Sequence, residues 1–387
     1  KAMLIPLKIS LFNSEGKRLF LDKDKSKKEL TIILKNKSHT FYYENIEEDP
    51  AISINRGFTS PVKINLKQDK NKLEILMMHD NDPFKKWDGV NQYLLDLCIR
   101  QSKTPNTIKV DKFFIIVIKD ILLNAAEDPA FATELLSLPS ENEIAENIKN
   151  YKPEKVFKAR KEIIRNIKNI LTNEFHLIYR QCDTIKHRTS RSWRALHNIC
   201  LEYLTVEDNF DSQKLALEAY KNATNMTIKL CSLSCLSNMK NKDRDVILLD
   251  FYKKYKKQPV MIEKWLQIQA SAKLKNNVYN VKRLIKLPEF TYKNPNQVRS
   301  LLNTFAKNNP INFHDSSGKG YKFITDQILI LDSINPSSAS SLSSAFSKWK
   351  SLDNSRKKLM KINMERILKK KGLSTNTFEI INNIIES

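Results

Sequence analysis

The periodicity of this chain changes once, near Met78, and does not change back. Before that point apolar residues fall in short runs, over 3–12, 30–35, 40–43, 61–66 and 73–78, rich in β-branched and aromatic side chains. Polar stretches such as Asn13-Ser14-Glu15-Gly16 and Gln68-Asp69-Lys70-Asn71 separate them, and Lys63-Ile64-Asn65-Leu66 alternates. Runs of this length between turn residues predict strands, and the alternation predicts a small sandwich with one buried face per sheet. Residues 1–78 are thin for a free-standing sandwich, so its first strands are expected upstream of Lys1.

After Met78 apolar residues recur at three and four, as in Ile163, Ile164, Ile167 and Leu171. Asn81-Asp82-Pro83 and Asp128-Pro129 place a capping side chain before a proline, whose missing N–H costs nothing in a first helical turn. Helices are predicted over 88–100, 110–126, 129–138, 140–150 and 153–182, and the pattern continues to 375–386. Loops are short, so neighbouring helices should pair and stack as an irregular solenoid. The expected fold is mainly α: a truncated β-sandwich domain over 1–78, then an α-α superhelical domain over 79–387. Two units also suit a length of 387 residues, since one core rarely grows past about 250–300.

Composition narrows the function classes. Apolar content of 41% with 28% charged residues is ordinary for a soluble globular chain. No run approaches the roughly 20 apolar residues that span a bilayer, and the longest, 113–123, is cut by Lys119 and Asp120. The formal charge of +23 invites a nucleic-acid reading, yet of 66 basic residues only 14 are Arg, and the 52 Lys are scattered. Nucleic-acid readers concentrate Arg for its bidentate fork, so a solvated lysine surface without specific nucleic-acid binding is expected. Five cysteines, an odd number, lie on apolar helical stretches, which suits buried free thiols in a reduced, cytoplasmic protein.

A catalytic set is not legible. The histidines are His39, His79, His176, His187, His197 and His314, and no pair stands four apart with Glu between, as a zinc peptidase helix requires. Cys182, His187, His197 and Cys200 are the right donor types for zinc but match no established spacing, so no metal site is expected. Gly318-Lys319-Gly320 lacks the rest of a phosphate loop and reads as a turn, and no Gly-x-Ser-x-Gly elbow occurs. One segment stands out, from Tyr292 to Tyr321. Its two Asn-Pro steps, Asn294-Pro295 and Asn309-Pro310, bracket a helix that carries Arg299 close to its N-terminus. A cation there opposes the helix dipole, so either an ion pair with a neighbouring helix or a role toward a carbonyl or carboxylate ligand is expected.

These residues carry a resemblance. RGFTSPVKI at 56–64, HDNDPFKKWD at 79–88 and DPAFATELLSLPSENEIAE at 128–146 resemble bacterial aminopeptidase N, a family of zinc exopeptidases. ATNMTIKLCSLS at 223–234, PVMIEKWLQIQA at 259–270, NPNQVRSLL at 294–302 and FHDSSGKGY at 313–321 continue the likeness in the same order. The resemblance implies the end of a small β-sandwich followed by the helical domain that closes over a zinc-bearing catalytic domain and encloses a peptide chamber. It implies that Arg299, Asn294, Asn296, Ser337 and Ser341 line that chamber; Ser337 and Ser341 depart from the family, whose nearest members carry a longer polar residue and an Arg there. It places zinc outside this chain and gives as partners the catalytic domain and peptide substrate, within a monomeric parent enzyme, so this chain alone is expected to be inactive. The competing expectation is a stand-alone helical interaction module that binds protein or nucleic acid.

Overall fold

The computed structural model describes residues 3–44, 46–104, 109–184 and 189–386. Three antiparallel strands open the chain: β1 (Ile5–Phe12), β2 (Leu30–Leu34) and β3 (Ala51–Ile54), in the order β2-β1-β3. The central strand is buried on both faces, as two neighbours and a layer on each side require. Ile9 and Leu11 pack with Leu21 on one face, while Phe12 points the other way onto Ala51 and Leu76. Strand β3 was not foreseen, although Ala-Ile-Ser-Ile alternates strictly in burial.

Several expected strands are corrected. Residues 40–43 and 61–66 form no strand, and 73–78 belongs to a helix, Lys70–His79. Asp69 accepts the N–H of Lys72 at 3.0 Å, and the cap favours the helix over the short apolar run's strand propensity. The helical part therefore begins at Lys70. The helix expected over 153–182 is two, Pro153–Ile170 and Thr172–Cys182, broken at Leu171, which leaves helical geometry with φ −111° and ψ 29°. The Thr172 hydroxyl donates to the Lys168 carbonyl at 2.7 Å, a local bond that competes with straight helix continuation.

Arg56 joins the two parts. It is 2% exposed and sits behind the turn at Asn55 and Gly57, both at positive φ. Its guanidinium donates to Glu29 at 2.7 Å, Ser53 at 2.9 Å, Asp80 at 2.7 Å and Asn81 at 2.7 Å. Asp82 does double duty: one carboxylate oxygen accepts the Gly57 N–H at 2.8 Å, the other caps helix Pro83–Lys103 through Lys85 N at 2.9 Å. The sheet is thus tied to the start of a helix by charge-assisted bonds, of which those from Arg56 to Ser53 and Asp80 are buried.

Successive helices then pack against their neighbours around one continuous core that runs from Met77 to Ile384. The helix Pro153–Ile170 shows why: Val156, Ala159, Ile163 and Ile167 fall on one face and are buried. Far-apart segments also meet. Tyr151 N–H donates to the Ser351 carbonyl at 3.0 Å, the Asn142 amide donates to the Lys307 carbonyl at 3.0 Å, and Pro310–Phe313 packs on Pro153–Ile170. Among the described residues no helix is long and apolar enough to cross a membrane.

Candidate functional site

The segment that stood out in the sequence is built as its prolines imply. Asn294 is the cap, its side-chain oxygen accepting the Asn296 N–H at 3.0 Å, and Pro295 occupies the first helical turn. The helix does not run straight. Pro295–Val298 passes into a π-helical turn, Arg299–Asn303, before α geometry resumes at Thr304–Asn308. Such a turn holds one residue more than an α turn and is often found at functional sites. Downstream, Asn309 is fully buried and donates to the carbonyls of Ala270 and Ala272, both at 2.8 Å, which fixes the helix end against helix Pro259–Ser271.

Arg299 lies exposed on the π turn and donates to the side-chain oxygen of Asn296, itself exposed. Among the described residues it has no carboxylate partner, so the ion pair that would explain its position is not made. Four residues on, Asn303 is 9% exposed; its amide nitrogen donates to Ser341 Oγ at 3.2 Å and its oxygen has no partner among the described residues. Ser341 belongs to helix Pro336–Ser343, which Asn335 caps through Ser338 N at 3.0 Å and which packs on the π turn. Ser337 is exposed one turn earlier on the same face.

The structure therefore brings together Arg299 with Asn296, and Ser341 with Asn303, on two packed helices. Asn294 is half-buried and its oxygen serves as the cap. Asn303 was missed by sequence reasoning; a polar side chain at a core position of a helix was the signal. The arrangement is a hydrogen-bonding wall with one guanidinium free of carboxylate, suited to carbonyl or carboxylate groups. A cavity of about 600 Å³ bordered by Arg160, Glu202 and Lys273 and another of about 590 Å³ bordered by Arg244, Trp265 and Asn280 are lined by other residues.

The loop that follows is held tightly. Gly318, at φ +69°, caps helix Lys319–Asp332, and a Cβ on Gly320 would stand 2.2 Å from the Phe313 carbonyl oxygen. Only glycine allows that approach. Thus Gly318 is the expected turn, while Gly320 already lies in the helix. His314 is buried, with Nδ1 3.0 Å from the Tyr321 hydroxyl, and burial, helped by the Arg356 charge, pushes its pKa down to about 3. It is a neutral packing histidine. Arg356 donates to the His314 carbonyl and pairs with Glu154 at 2.9 Å and with Asp353.

Among the described residues no group of three or more His, Cys, Asp or Glu side chains could hold a metal ion. Of the four candidates weighed, His187 lies outside the described residues, Cys182 and Cys200 are buried thiols, and the His197 ring packs on Tyr179 at 4.5 Å between centroids. Burial raises the Cys182 thiol to about 12 and Cys200 well above its ordinary value, which suits neutral thiols in hydrophobic packing.

Comparison with known proteins gives a consistent answer. Residues 1–67 match a family model described as a domain of unknown function (DUF3458) with an Ig-like fold, and residues 70–386 match one described as DUF3458_C, ARM repeats. Aminopeptidase N of Escherichia coli K12 is 28% identical over 383 residues, covering 97% of this chain and 44% of that protein. Aminopeptidase N of Haemophilus influenzae is 28% identical over 389 residues, covering 99% of this chain and 44% of its own length. A solved structure of Legionella pneumophila aminopeptidase A in complex with aspartic acid superposes with a TM-score of 0.87 at 26% identity, over 99% of this chain and 45% of that one. The chain thus spans less than half the length of the relatives it matches. It belongs to the DUF3458_C family, with the DUF3458 match confined to its first 67 residues, and corresponds to a C-terminal portion of an aminopeptidase N.

Proposed function

We propose that this chain is the non-catalytic wall of the substrate chamber in a zinc-dependent aminopeptidase that removes N-terminal residues from peptides. Its partner in this reading is a zinc-bearing catalytic domain in the same polypeptide, within a monomeric, cytoplasmic enzyme. The observation that carries the reading is Arg299: an exposed guanidinium on a π turn, held by a neutral amide and without a carboxylate partner among the described residues. Among the described residues the two buried arginines, Arg56 and Arg356, are held by acidic neighbours. Arg299 keeps its charge for something else, and peptide carbonyls or a C-terminal carboxylate are chemically suited to it. Ser337 and Ser341, short and neutral, leave the adjoining helix less positive, so the preference for the far end of the peptide should differ from that of family members with Arg there.

The reading is tested with Arg299→Ala in the polypeptide that includes the catalytic portion. Peptide KM is expected to rise about tenfold, as for one lost charge-assisted bond, while the melting temperature barely moves because the residue is exposed. An unchanged KM with a large drop in melting temperature contradicts it.

A further inference from the structure

The second cavity, of about 590 Å³, lies between helices Lys242–Tyr255, Pro259–Ser271 and Asn277–Leu284. Three of its lining residues carry an N–H that finds no acceptor among the described residues: Arg244 Nε, Gln269 Nε2 and Asn280 Nδ2. Two of these donors are fixed by chemistry. A guanidinium has no acceptor atom, and the Asn280 oxygen is already occupied by Arg283 at 3.0 Å, which leaves its nitrogen as the spare group. Gln269 is 1% exposed, so its unmet donor is a buried polar group, a costly thing to keep. Orphan donors scattered over a protein mean little, but three around one cavity call for an acceptor.

Charge and shape narrow the ligand. Arg244, Lys275 and Arg283 line the cavity against a single carboxylate, Asp245. Arg244 reaches that carboxylate at 3.2 Å through Nη1 only, leaving Nε unused. Tyr252 and Trp265 supply an aromatic wall, their rings tilted with centroids 5.2 Å apart, and the indole N–H is already spent on the Leu248 carbonyl at 2.9 Å. The cavity thus offers cations and spare N–H donors beside ring faces with no acceptor demand of their own.

We propose that this cavity, separate from the Arg299 wall, binds a small ligand with a carboxylate next to an apolar or aromatic body, the carboxylate meeting Arg244, Gln269 and Asn280. An aromatic amino acid with a free carboxylate and a masked amine has this chemistry, and N-acetylphenylalanine is a suitable probe. Titrated into the full 387-residue chain by calorimetry, it is expected to bind saturably. Arg244→Gln and Gln269→Leu should each weaken binding about tenfold or more, the value of one lost charge-assisted or buried bond. N-acetylphenylalaninamide, which lacks the carboxylate, should bind at least about tenfold more weakly. Gln269→Leu removes a buried polar group and keeps a side chain of similar reach beside an open cavity, so near-ultraviolet circular dichroism of both variants should match the parent. The proposal is overturned if the probe shows no saturable binding up to about 10 mM, if the amide binds equally well, if inorganic phosphate binds more tightly than the probe, or if two folded variants bind like the parent.

Discussion

Arg56 shows what a single side chain contributes to holding this molecule together. Removing one partner of a buried ion pair leaves the other charged and closed off from water, at a cost of about 3–5 kcal/mol. Arg56→Ala should therefore lower the unfolding free energy obtained from urea titration by that amount, whereas Arg100→Ala, which breaks an exposed i,i+4 pair with Asp96, should change it by less than about 1 kcal/mol. Equal effects of the two would contradict the role given to the joint. The sequence motif contained Arg56 but could not show its burial, because its partners Glu29 and Asp80 stand 27 and 24 residues away. His314 gives a pH signature. Its folded pKa, near 3, lies below the unfolded value of 6.5, so between them the unfolded chain takes up a proton that the folded chain refuses. Stability is fully present above pH 6.5 and falls as pH drops toward 3, by at most ~1.4 kcal/mol per unit from this group. His314→Gln should flatten the change in urea midpoint between pH 7 and pH 5; an unaltered slope would show that the proton is taken up elsewhere.

At the level of elements, capping chemistry was the most legible part of the chain. Asp82, Asp128 and Asn294 each precede a proline and each caps the helix that follows, because the signal is local and needs no tertiary partner. The strand expected over 73–78 became a helix, and one long helix became two, where burial or a side-chain bond outweighed a short pattern. The π turn at Arg299–Asn303 was not legible at all. Its extra residue is set by packing on helices Pro259–Ser271 and Pro336–Ser343, which no spacing in the sequence reports. Five residues were singled out as chamber lining from resemblance and not from period, and four of them lie exposed. Asn303 supplies the test at this scale. Its buried oxygen lacks a donor and its nitrogen makes one bond to Ser341, so Asn303→Leu should leave the melting temperature unchanged or raise it. A loss above about 2 kcal/mol would mean that the amide holds the turn in place.

Taken whole, the helical part is more than a row of neighbours. An open solenoid has only nearest-neighbour interfaces and can unfold piecewise. Here segments around 141–157 meet Lys273 and segments around 307–357, through Asn142 and Lys307, Lys273 and Glu141, and Arg356 and Glu154. Together with one core spanning Met77 to Ile384, these contacts predict a single calorimetric transition for the helical part, with matching calorimetric and van't Hoff enthalpies. Two resolved transitions would show that the far contacts add nothing to cooperativity. The proposed function is that this chain shapes a substrate chamber and leaves peptide hydrolysis to a catalytic domain. Its most direct test is release of a chromogenic amine from aminoacyl amides by the purified 387-residue chain, with zinc supplied. Release no faster than in buffer is expected; metal-dependent release that a chelator abolishes would contradict the account.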